Sequence, residues 1–291
     1  MTYYQFIEAV ETKVKEVVDT EVTVGVHTAE KMNGVTKRGI ILSKEGVNVS
    51  PTIYLEEYFG QYQHGKSVEQ IVHDILNLYR EVRCEKSWDV DKIQTFSLIE
   101  NKIVYRVIHY EKNRELLENL PYVRFLDLAI TFCVLLEVTE HGTATMMVRN
   151  EHLEMWNVSK EVLYENACRN TEKLLPYSFQ TMNAVVEELT GMPVYEEDDV
   201  LYVLTNCIRS FGAAAMLYKD RLRRIGEYLR ENYYILPSSI HEVIIVPESV
   251  APFRGVLNRM VEEINETQLE EEEILSDHAY YYDCKKGCLM L

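Results

Sequence analysis

The sequence predicts an α+β fold in which largely antiparallel sheets are flanked by helices. Short apolar runs rich in Val, Ile and Tyr recur as neighbours without an intervening helix, which favours antiparallel pairs over a doubly wound parallel sheet. Neither GxGxxG nor GxxxxGK[ST] occurs, so the two commonest nucleotide-binding turns are absent. The stretch YYILPSSIHEVIIVP (Tyr233–Pro247) holds two such runs, closed by prolines and joined by a polar corner, and is read as two buried strands.

Taken in order, residues 3–18 place Phe6, Ile7, Val10, Val14, Val17 and Val18 at helical spacing. Val22–Thr28 and Gly39–Leu42 form an antiparallel pair around Asn33-Gly34. A helical segment follows from Ile53 to Tyr62. Ser67 caps a second helix striped with Ile71, Val72, Ile75, Leu76 and Tyr79. Trp88, Asp89 and Asp91 mark a turn before a strand at Ile103–Tyr110, and a charged helix over Glu111–Leu120 stops at Pro121. Ile130–Val138 and Ala144–Arg149 pair across Glu140-His141-Gly142, and Ser159 starts another helix. Residues 178–190 are expected to be helical. The acidic run Glu196-Glu197-Asp198-Asp199 is a solvated loop, because consecutive carboxylates cannot all face one ion. Strands at Val200–Thr205 and Ala213–Leu217, a helix at Arg221–Arg230, the Tyr233–Pro247 pair, a helix at Val256–Ile264 and a closing pair at Ala279–Asp283 and Cys288–Leu291 complete the chain. Two strand–turn–strand segments each lead into a short and then a longer helix, an internal echo of a ββαα unit.

At 291 residues the chain suits two segments, residues 1–120 and 121–291, or one continuous domain. The formal net charge of -17 repels phosphate backbones, so direct nucleic-acid binding is not expected. No apolar run is long enough to span a membrane, the N-terminal stretch is not a signal peptide, and the six cysteines include no CxxC. A cytoplasmic location follows.

LYVLTN (Leu201–Asn206), FGAAAMLY (Phe211–Tyr218), ILPSSIHEVIIVP (Ile235–Pro247) and LSDHAYYYD (Leu275–Asp283) resemble the signature segments of an uncharacterised bacterial family, domain of unknown function 5688, seen mostly in gut Firmicutes. SPTIYLEEYF (Ser50–Phe59), PYVRFLDLA (Pro121–Ala129) and the run from His152 to Asn170 resemble it too. The Trp156 helix and the closing strands are more distantly similar to the uncharacterised family containing YtpQ of Bacillus. The resemblance implies a bacterial, cytoplasmic protein and carries no activity or cofactor with it.

The densest polar chemistry is at the corner. Ser238, Ser239, His241 and Glu242 are the candidate catalytic residues, with Ser239 and His241 able to share a strand face. A metal alternative draws on His241 and Glu242 with Asp277 and His278. No complete catalytic motif is present, and twenty tyrosines favour contact surfaces. The expected function is binding, to itself or to another protein, without a cofactor; the alternative is a hydrolase or metal-dependent enzyme centred on Ser239 and His241.

Overall fold

The computed structural model describes residues 1–83, 87, 90–139, 142–194 and 200–291. Cys84, Trp88, Asp89, the Glu140-His141 turn and the acidic run at 196–199 therefore lie outside the described residues. The chain divides into two compact units, Met1–Lys92 and Ile93–Leu291.

In the first unit, α1 (Tyr3–Val17) precedes strands β1 (Val22–Glu30), β2 (Thr36–Lys44) and β3 (Thr52–Tyr54), which pair antiparallel in that order. Helices α2 (Glu56–Gln63) and α3 (Val68–Val82) follow. Thr2 and Ser67 start α1 and α3 with capping boxes, each closed by a glutamine three residues on. The apolar stripes of both helices and the inward residues Val24, Ile40, Leu42 and Ile53 of the sheet form one core. The segment from Ile53 opens as β3 rather than as a helix, because Thr52–Tyr54 completes the ladder of β2.

In the second unit, α4 (Val90–Gln94), which begins just before it, and α5 (Phe96–Ile99) lead into β4 (Ile103–His109). A single turn, α6 (Arg114–Leu117), stands where a longer helix to Leu120 is expected; β5 (Val123–Phe125), β6 (Leu128–Thr139) and β7 (Gly142–Met147) follow. β6 is the centre of this four-stranded sheet, with β4 on one side and β5 and β7 on the other. Residue 120, where the sequence suggests a division, lies between β4 and β6, which pair over their full seven-residue register. Helix α7 (Asn150–Trp156) and the Ser159-capped α8 (Lys160–Leu174) come next. α8 covers the outer edge of β4: Thr171 Oγ1 accepts from Tyr105 N–H at 3.0 Å, and Asn170 Nδ2 donates to Ile103 O at 3.0 Å. Edge groups that would otherwise invite another strand are thereby satisfied.

A six-stranded sheet completes the unit, from β8 (Tyr177–Thr181), β9 (Tyr202–Asn206), β10 (Tyr233–Pro237), β11 (Val243–Pro247), β12 (Tyr280–Asp283) and β13 (Cys288–Met290), with α9 (Met182–Thr190), α10 (Arg221–Leu229) and α11 (Arg254–Thr267). Its order is β13-β12-β10-β11-β9-β8, antiparallel throughout. The buried pair predicted at Tyr233–Pro247 is thus the sheet's centre. Tyr233 and Ile235 face the main core, whereas Leu236 and Val246 pack on Leu257 and Val261 of α11. Burial on both faces explains why these strands read as continuous apolar runs.

Two local expectations change. Residues 178–190 split into β8 and α9, since the edge of β9 takes up Tyr177–Thr181 and Thr181 caps the helix. Residues 213–217 are not a strand but part of a 3-10 segment, Gly212–Leu217, whose alanines are buried in the main core. The tyrosine run of β12 faces mostly inward: Tyr280 and Tyr282 are buried, and Tyr281 donates to Glu248 Oε1 at 2.9 Å. Across the described residues no helix is long and apolar enough to cross a membrane.

Candidate functional site

The corner between β10 and β11 is tied by its own polar groups. Ser238 Oγ donates to Glu242 O at 3.1 Å, and Ser239 Oγ accepts from His241 N–H at 3.0 Å. Such side-chain to backbone bonds are what serine supplies at turns. Ile240 between them is buried; its N–H donates to Glu273 O at 2.9 Å and its carbonyl accepts from Ala213 N–H at 3.3 Å. Neither hydroxyl is hydrogen-bonded to the imidazole.

That imidazole looks the other way. Its Nδ1 accepts from Phe211 N–H at 3.2 Å, so this nitrogen carries no proton, and Nε2 sits 3.4 Å from Glu273 Oε1. The rings of His241 and Phe211 lie 5.6 Å apart, and Thr205 Oγ1 donates to His241 O at 2.7 Å. Corner and loop 206–212 are therefore one structure.

The loop itself is conformationally unusual. Arg209 and Phe211 take left-handed backbone angles, φ +49° and +51°, uncommon for residues with a side chain. Asn206 holds them: its Oδ1 accepts from Ile208 and Ser210 N–H at 3.2 and 3.3 Å, and its Nδ2 donates to Ser210 O at 2.8 Å. Gly212 follows because a Cβ there would lie 2.5 Å from His241 O and 2.6 Å from Asn206 N.

Phe211 also faces Arg106, whose guanidinium lies 4.1 Å from the ring centroid. Arg106 is 7% exposed, the one charge in the apolar strand IVYRVIH. Among the described residues its only other partner is Thr145 Oγ1, which accepts from Nη2 at 2.8 Å. A buried cation costs free energy unless it is paired. A narrow cavity of about 20 Å³, space for roughly one water, opens beside it, lined among others by Arg106, Thr143, Thr145, Asn206, Ser210 and Phe211 and by no described acid. Thr145 is exposed and marks the rim.

The other predicted ligands lie elsewhere in the unit. Asp277 Oδ2 is 3.6 Å from His109 Nε2, and Asp277 Oδ1 accepts from Asn265 Nδ2 at 3.1 Å. His278 is exposed, with its N–H on Ser276 Oγ at 3.2 Å. Nowhere among the described residues do three His, Cys, Asp or Glu side chains gather closely enough to share an ion. Neither Arg106 nor Asp127, which accepts from Ser276 and Tyr280, stands out by motif. The one signal available is an arginine in the middle of a strand pattern that is otherwise apolar from Ile103 to Ile108.

Fold and site define an α+β protein of antiparallel sheets, with a buried, weakly paired arginine at a cavity braced by the Ser238–Glu242 corner. The chain belongs to DUF5688, a family of unknown function, which it matches over residues 3–284. No curated protein and no solved structure matches it.

Proposed function

We propose that the protein acts by binding, in a bacterial cytoplasm and without chemistry of its own, and that loop 206–212 with the 238–242 corner forms the rigid part of its binding surface. The observation that carries this reading is the engagement of the corner: Ser238 and Ser239 serve backbone groups, and His241 Nδ1 serves Phe211. A nucleophile needs its hydroxyl on the base and free to attack. The left-handed residues held by Asn206 support the reading, because backbone strain of this kind persists where the surroundings fix it and clusters at functional surfaces. The described cysteines are free thiols, four of them exposed, in keeping with a reducing compartment.

The test is reaction of the purified chain with a fluorophosphonate probe, followed by peptide mapping. The expected result is no adduct at Ser238 or Ser239. An adduct on Ser239 that His241→Ala abolishes would overturn the reading in favour of a hydrolase.

A further inference from the structure

We infer that the cavity beside Arg106 is a binding site for a carboxylate group, with the guanidinium as the anion's partner and Thr145 at its entrance. The inference rests on the binding reading above and gives that surface a ligand chemistry.

Arg106 is buried, yet the described protein gives it one hydroxyl and one aromatic face and no carboxylate. Five N–H donors in a fork are far more than a single threonine satisfies. Its Nε and Nη1 have no described partner and are not among the atoms sealed from solvent. The cavity supplies the way in, and its described lining is mostly apolar, with the hydroxyls of Thr143, Thr145 and Ser210 and without any acid to compete for the guanidinium. In a chain of net charge -17, a buried arginine left without an acid of its own is a selective point of attachment for an anion from outside.

The shape of the space selects the anion. The ring of Phe211 closes off one side of the guanidinium, which leaves its N–H edges for a ligand, where a carboxylate meets arginine through two parallel bonds. A cavity of about 20 Å³ takes one oxygen of such a group, the second meets the guanidinium at the mouth, and the rest of the ligand lies outside beyond Thr145. A phosphate also meets an arginine fork through two oxygens, but it brings two further oxygens that the mostly apolar lining does not satisfy. The loop that presents Phe211 is held by Asn206 and His241, so the ring is in place before any ligand arrives.

The full-length chain, labelled with nitrogen-15 in arginine, is titrated with sodium acetate and, separately, with sodium chloride and sodium phosphate at equal ionic strength. One side-chain Nε–H signal, absent in Arg106→Lys, is expected to move and saturate with acetate, with no saturable change in chloride. Thr145→Val, which removes the hydroxyl that accepts from Nη2 and whose own proton is placed to meet the ligand, is expected to weaken acetate binding about threefold or more, the worth of one hydrogen bond. No saturable shift in the unaltered chain, an equal response to chloride, or unchanged binding in Thr145→Val overturns the proposal. Saturation by phosphate at lower concentration than acetate overturns its planar-carboxylate part. Failure here with Ser239 inert to fluorophosphonate leaves the binding reading standing, whereas labelled Ser239 removes that reading whatever acetate does.

Discussion

The phenol of Tyr280 donates to Asp127 Oδ1 across 2.8 Å, while Ser276 Oγ donates to Oδ2 of the same carboxylate at 2.5 Å. Asp127 lies in the turn between β5 and β6, where Leu126 has φ +54°, and both hydroxyls come from the far end of the chain. Tyr280 and Ser276 are fully buried, so their donors have no water to fall back on. Asp127→Ala is expected to destabilise the protein by about 2–5 kcal/mol, because two buried hydroxyls lose their acceptor together. Tyr280→Phe removes one donor and leaves the carboxylate its second, so about 1–2 kcal/mol is expected. Urea denaturation of both variants and the double variant checks this; a loss below about 0.5 kcal/mol for Asp127→Ala would show that the carboxylate does not hold the two segments together.

Gly212 tests the junction of loop and corner. Its missing Cβ would sit 2.5 Å from a carbonyl oxygen and 2.6 Å from a backbone nitrogen, neither of which a rotamer change can move. Gly212→Ala is expected to cost about 3 kcal/mol or more, or to abolish folding of the unit. Gly255, in the first turn of α11, has open space around it, and Gly255→Ala is expected to stabilise by about 0.5–1 kcal/mol. Thermal melting of the pair separates a packing constraint from a general effect of replacing glycine.

The two corner serines are predicted to differ. Ser239 Oγ is the acceptor for His241 N–H in a buried setting, so Ser239→Ala strands an amide and is expected to cost about 1–3 kcal/mol. Ser238 donates to Glu242 O, which also accepts from Ser239 N–H at 3.3 Å and so keeps a partner. Ser238→Ala is expected to cost less than about 1 kcal/mol. Chemical denaturation that finds the reverse order would mean the Ser239 hydroxyl is engaged elsewhere in solution.

Much of this architecture is legible in the sequence because it is written in local periodicity. The stripe of α3, its Ser67 cap and the paired runs of β10 and β11 each announce themselves within about fifteen residues. What escapes is set by partners far along the chain. Thr52–Tyr54 and Tyr177–Thr181 become strands because β2 and β9 have open edges for them. Residues 213–217 carry the composition of a strand, but the left-handed Phe211 and the closeness of Gly212 to His241 O turn the chain into a 3-10 segment. The corner was visible as a concentration of polar residues, though not the direction of its bonds: a hydroxyl two residues from an amide closes a turn more readily than it meets an imidazole. Asp127 and Tyr280, separated by 153 positions, share no local signal at all.

His109 makes stability depend on pH. It is 7% exposed at the end of β4, and burial pushes its pKa below the ordinary 6.5, opposed by the carboxylates of Asp277 and Asp127. Its Nδ1 accepts from Lys112 N–H at 3.3 Å, an arrangement made by the neutral ring. Because the folded pKa lies below the unfolded one, the unfolded chain binds more protons in the window between them. The stability from this group is complete above about pH 6.5 and falls as the pH drops toward the folded value. His152, stacked 5.4 Å from Trp156, is shifted downward by burial as well and adds a slope of the same sign. Unfolding free energy measured by urea from pH 7.5 to 5 is expected to decline across this window, and His109→Gln to make the decline shallower. A rise in stability on acidification that His109→Gln abolishes would mean that the Asp277 carboxylate, 3.6 Å from Nε2, outweighs burial and holds the ring protonated.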